Sequence, residues 1–122
     1  MQLDETTLFP SERLKEFTIK VFLHFGVPKS DAEQAADVLS LSDLRGIDSH
    51  GVARLHTYFD MFKLGRINPK PNITIVRERK SVCTVDGDNG LGLVVGPRAN
   101  QIAIDKASQF GSGWASVCNT NH

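Results

Sequence analysis

The chain has 122 residues, with 14 Lys+Arg against 14 Asp+Glu, so its formal net charge is zero; 40% of residues are hydrophobic and 23% charged. Those are ordinary values for one globular domain or part of a larger one. Balanced charge leaves no electrostatic footprint for nucleic acid, and no apolar run approaches the roughly 20 residues that cross a bilayer. The start, Met1-Gln2-Leu3-Asp4-Glu5, lacks the basic and apolar regions of a signal peptide. Cys83 and Cys118 lie in apolar, strand-like runs and read as buried, reduced thiols of a cytoplasmic protein, with a disulfide between them the weaker alternative.

Residues 1–10 show no period and read as an irregular arm. Ser11 is placed to cap a helix with the stripe Leu14, Phe17, Val21 and Phe25, stopped by Gly26 and Pro28. Ser30 and Glu33 have capping-box spacing, predicting a helix over Asp31–Arg45. Its face is Ala32, Ala35, Ala36, Leu39 and Leu44, small enough for close helix approach, and Gly46 ends it. A third helix is expected from Asp48 or Ser49 to Leu64, with Val52, Leu55, Phe59 and Phe62 inward and Gly65 as its stop. Pro69 and Pro71 then force an extended path through residues 66–72.

Beyond this linker the period becomes strand-like. Strands are expected over 73–77 and 81–85, followed by a turn at Asp86-Gly87-Asp88-Asn89-Gly90. Leu91–Val95 fits a strand or a pocket wall. Gly96-Pro97 should open a helix with Pro at its first position, burying Ala99, Ile102, Ala103, Ala107 and Phe110 and ending at Gly111. Trp114–Val117 reads as a last strand. The order predicts an α+β fold: a three-helix segment with its linker (1–72), then a small mixed sheet with one helix (73–122). A polar run that stops at His122 directly after a strand reads as a truncated chain.

The most informative segment for chemistry is Asp48-Ser49-His50-Gly51-Val52-Ala53-Arg54. On a continuous helix His50, Arg54 and Tyr58 fall on one stripe, offset from the core stripe. Together they supply a titratable ring, a bidentate carboxylate fork and a phenol. That set suits a small acid with a carbonyl or hydroxyl beside its carboxylate, although ordinary solvated faces carry such trios too. His122, in the run Asn119-Thr120-Asn121-His122, is a second candidate or a free tail residue. His24 reads as a partly buried packing residue and His56 as solvated. No His or Cys pair has zinc spacing. Gly87, Gly90 and Gly92 spell G-x-x-G-x-G, which is not the dinucleotide fingerprint and reads as turn formation.

Several ordered stretches resemble one family: Asp48-Ser49-His50-Gly51-Val52 with Arg54 and Tyr58; Gly65 with Pro69 and Pro71; Val85-Asp86-Gly87 with Gly90 and Gly92; Lys106-Ala107 with Gly111; and Val117-Cys118-Asn119-Thr120-Asn121-His122. They look like the N-terminal part of the type 2 malate/L-lactate dehydrogenase family, which includes ureidoglycolate, sulfolactate and diketogulonate oxidoreductases. The last stretch is similar to that family's Asn-Ser-Asn-His motif, with Thr for Ser. The resemblance implies a non-Rossmann NAD- or NADP-dependent homodimer that moves hydride between nicotinamide and C2 of a 2-hydroxy or 2-oxo acid. Carried over by position, His122 is the acid/base histidine and His50 a second active-site histidine. Arg54 holds the substrate carboxylate, and Ser49 and Tyr58 line the pocket. The family's later lysine and most of its cofactor loops have no counterpart in these residues, so the chain is expected to be inactive alone. The alternative from another class is a non-catalytic dimerisation or anion-binding module.

Overall fold

A computed structural model describes residues 8–122; the expected arm at 1–10 lies mostly outside them. Helices α1 (Ser11–His24), α2 (Lys29–Leu44) and α3 (Leu55–Lys63) come first, and two short 3-10 turns, Asp48–His50 and Val52–Arg54, precede α3. Strand β1 (Thr74–Arg79), strand β2 (Val82–Leu91), helix α4 (Gly92–Phe110) and strand β3 (Trp114–Asn121) follow. The fold is α+β, as the order of patterns predicts.

The glycine stops hold. At the end of α1 the Gly26 N–H donates to Leu23 O at 2.9 Å and the Val27 N–H to Phe22 O at 3.2 Å. That is the Schellman pattern, with Gly26 left-handed at φ 84° and buried Val27 meeting buried Phe22. Gly46 and Gly65 repeat it after α2 and α3. The helix starts differ from expectation. Pro10 and Pro28 occupy the N-cap positions of α1 and α2, without side-chain caps. Because α2 begins at Lys29, Ser30 falls inside the first turn, and Glu33 instead faces Lys29 one turn back.

The apolar stripe of α1 is also rotated from its expected face. Phe17 is 56% exposed, whereas Thr18 and Phe22 are buried. Thr18 tolerates burial because its hydroxyl donates to Leu14 O at 2.8 Å. Ala32, Ala35, Ala36 and Leu39 of α2 are buried as expected, but Leu44 is exposed. On α3, Leu55 and Tyr58 are buried, while Phe59 is exposed.

The sheet has the order β1-β2-β3. β1 and β2 form an antiparallel hairpin around Lys80-Ser81, and β2 and β3 run parallel, joined through α4. The expected turn at Asp86–Gly90 does not reverse the chain. It lies within β2, where Gly87, Asp88 and Asn89 oppose Asn119 alone before Gly90 pairs with Thr120. Asp88 and Asn89 adopt positive φ, at 49° and 56°, within an extended bulge, whereas Gly87 and Gly90 do not. Asp86 Oδ1 accepts the Asp88 N–H at 2.9 Å, and Asp88 Oδ2 accepts the Asn72 N–H at 2.8 Å and Asn68 Nδ2–H at 2.9 Å. The bulge thus ties down the proline linker.

Residues 92–95 are helical, so α4 starts before Pro97 and carries it internally. One core joins Phe22, Ala35, Leu39, Leu55 and Tyr58 to Leu91 and Val94, and so spans the helical segment and the start of α4. A smaller core of Cys83, Val85 and Ala99 lies between the sheet and α4. Lys106 is buried beneath the hairpin, donating to Glu78 Oε1 at 2.7 Å and Lys80 O at 2.9 Å. Phe110 is exposed. Both cysteines are free; Cys83 is buried as expected, but Cys118 is exposed, because it points from the sheet face that α4 does not cover.

Candidate active site

His50, Arg54 and Tyr58 do not lie on one continuous helix. Gly51, at φ −96° and ψ −142°, separates the two 3-10 turns. The Asp43 carboxylate of α2 accepts the Val52 N–H at 2.8 Å, and a Cβ on Gly51 would sit 1.7 Å from Asp43 Oδ1. The glycine and the acid together break the expected helix and fold the Ser49–Arg54 segment into a knuckle at the surface.

Within that knuckle Ser49 Oγ is 2.8 Å from His50 Nδ1. Arg54 donates its Nε–H to the Ser49 carbonyl at 2.8 Å. The guanidinium is thereby oriented through one edge, while its terminal nitrogens make no hydrogen bond among the described residues. Tyr58 departs most from expectation. It is only 3% exposed, its ring 6.2 Å from that of Phe22. Burial raises its hydroxyl above the ordinary tyrosine value, and the nearby Arg54 charge pulls it partly back. Tyr58 therefore belongs to the core beneath the knuckle, not to a stripe offset from it.

The run Asn119–Asn121 belongs to β3, not to a loop, and His122 follows its end. The His122 and His50 rings lie 6.0 Å apart at 49°. Two imidazoles some 70 residues apart in the chain thus face one exposed space, with Arg54 on the same knuckle. His24 is exposed, against expectation, and rests edge-on against Phe25 at 5.2 Å. His56 is solvated and faces Asp60 at 3.6 Å.

The glycine tract has a role that its spacing does not disclose. Built Cβ atoms on Gly87, Gly90 and Gly92 would meet Asn119 O at 2.8 Å, Pro71 Cγ at 2.7 Å and Asn121 O at 2.4 Å. All three let β3 or the linker approach β2 and α4, and Gly92 admits the strand end that carries His122. The space a phosphate cradle would need is filled by protein, so this tract does not fit a dinucleotide pyrophosphate. Among the described residues no three His, Cys, Asp or Glu side chains could hold a metal ion, and no helix is long and apolar enough to cross a membrane.

The fold is thus α+β, with two histidine rings brought together beyond the end of β3. Comparison with known proteins gives the family. The sequence profile of the malate/L-lactate dehydrogenases matches residues 9–122, and the chain belongs to that family. It is 47% identical over 111 residues to the L-sulfolactate dehydrogenase of Methanocaldococcus jannaschii, covering 91% of this chain and 32% of that protein. It is 45% identical over 113 residues to the malate dehydrogenase of Pyrococcus horikoshii, covering 93% and 31%. The solved structure of the Pyrococcus enzyme superposes with a TM-score of 0.94, across 100% of this chain and 35% of that one. The Methanocaldococcus structure gives 0.93, across 95% and 34%. The chain therefore spans about a third of the length of these relatives.

Proposed function

We propose that this chain carries the substrate-binding and proton-transfer part of a dehydrogenase acting on a small 2-hydroxy acid, with NAD or NADP as hydride acceptor. The observation that carries the reading is the convergence of His50 and His122, 6.0 Å apart, beside an arginine already oriented by Ser49. Arg54 is the carboxylate fork. A bidentate contact fixes the acid in the plane of the guanidinium and so fixes which face of C2 is presented. His122 takes the hydroxyl proton as the C2–H leaves as hydride, and returns it in the reverse direction; imidazole suits both tasks near neutral pH. His50, held through Nδ1 by Ser49, is the second histidine at the oxygen. Tyr58 supports the knuckle from below. Nicotinamide, when bound, supplies the hydride chemistry; its pyrophosphate is to be held by parts of the family fold outside these residues. On the same reading residues 1–72 and 73–122 are two segments of one larger fold, and the working enzyme is a cytoplasmic homodimer.

The test is a chimera in which this chain replaces the matching third of the Pyrococcus horikoshii malate dehydrogenase. The expected result is reduction of NAD or NADP dependent on malate, lactate or sulfolactate. A folded chimera inactive on every 2-hydroxy acid would leave the anion-binding module as the better reading.

A further inference from the structure

His50 and His122 stand on separate parts of the fold, and the gap between them must be set by something. Asn121 Nδ2 donates to two main-chain carbonyls, Asn89 O at 2.9 Å and Arg66 O at 3.1 Å. A side-chain amide has two N–H groups, and both are engaged. Asn89 belongs to the bulge of β2. Arg66 closes the Schellman turn of α3, its own N–H on Met61 O at 2.9 Å. One side chain therefore joins the end of β3 to β2 and to the far end of the helix that begins next to Arg54. From behind, the Asn121 carbonyl packs against Gly92, the first residue of α4.

We propose that Asn121 is a positioning residue that sets the separation of His50 and His122. The inference rests on reading those two histidines as the site. Aspartate would place a carboxylate against two carbonyls, and serine would offer one donor on a shorter arm. Only an amide of this length supplies both bonds.

NMR on the 122-residue chain tests this without catalysis. The chain has four histidines, so the ring signals can be assigned, and His24 against Phe25 serves as an internal control. The unaltered chain should show a nuclear Overhauser contact between the His50 and His122 rings. Asn121→Ala and Asn121→Ser should lose it while keeping the His24–Phe25 contact and the β2–β3 amide pattern. Persistence of the His50–His122 contact in either folded variant overturns the proposal. So does loss of all β2–β3 pairing in both variants, since the amide would then be a folding element. Absence of the contact in the unaltered chain removes the proposal and the site together. An inactive chimera with the contact intact would remove only the catalytic reading.

Discussion

Arg54 uses its Nε–H on the Ser49 carbonyl, so the guanidinium is bound on one edge, and its other edge has no hydrogen-bond partner among the described residues. Lysine offers a point charge and can reproduce neither the fork nor the backbone bond at once. In the chimera, Arg54→Lys should raise KM for the hydroxy acid by roughly ten- to a hundredfold, the effect of losing a charge-assisted contact of about 1.5–3 kcal/mol. An unchanged KM would place Arg54 outside the site. Tyr58 can be followed on its own, because it is the only tyrosine in the chain. Burial raises its pKa above the ordinary 10.0, and the Arg54 charge opposes that shift. The ultraviolet titration of tyrosinate should therefore have its midpoint above 10.0, and Arg54→Gln should move it further up. The sign for stability follows. The unfolded chain releases this proton first, so stability is intact below pH 10.0 and falls as the pH climbs through the folded value. Tyr58→Phe should flatten that alkaline loss in urea unfolding curves. A midpoint at or below 10.0 would mean that the ring is not buried as described.

Helix α4 shows how one element can hide from its own sequence. From sequence, Pro97 resembles a first helical residue, because it lacks an N–H and follows a glycine. The helix starts five residues earlier, leaving the Leu93 carbonyl without its partner one turn on. Gln34 of α2 fills the vacancy, its Nε2–H 3.0 Å from Leu93 O. The compensation comes from a residue 59 positions away, and no local pattern announces it. Gln34→Ala should cost about 1–3 kcal/mol, the usual penalty for an unpaired, partly buried carbonyl. Pro97→Ala, which restores the main-chain donor, should remove most of that cost in the double variant. Strictly additive unfolding energies would sever the link. Signals confined to one turn were legible: the glycine stops after α1, α2 and α3 and the alanine face of α2 are where periodicity puts them. What the sequence left out is set by distant partners. Asp43 breaks the expected third helix at Gly51, and Asn119 and the linker turn an apparent hairpin loop into a bulge.

Among the described residues, only one face of the sheet is covered. Its open face forms a concavity of about 920 Å³ between Arg77, Arg79, Thr84, Trp114 and Ser116, with Trp114 71% exposed. Leu8, Phe9, Leu44 and Ile47 are also exposed. Apolar surface on this scale favours association. Sedimentation of the 122-residue chain should show concentration-dependent self-association, and a monodisperse monomer at high concentration would contradict it. The candidate site is an assembly property as well. Its residues could be named from ordered motifs, but only folding brings β3 back to the knuckle ahead of α3, and only the fold places Tyr58 underneath. We propose that His122 moves the substrate proton at this junction. The most direct measurement is the steady-state kinetics of the chimera with and without His122→Ala. Loss of proton transfer should lower kcat by roughly 10²–10⁴ and leave KM nearly unchanged. A variant whose kcat and KM both stay within about threefold of the parent, less than about 1 kcal/mol, would contradict the account.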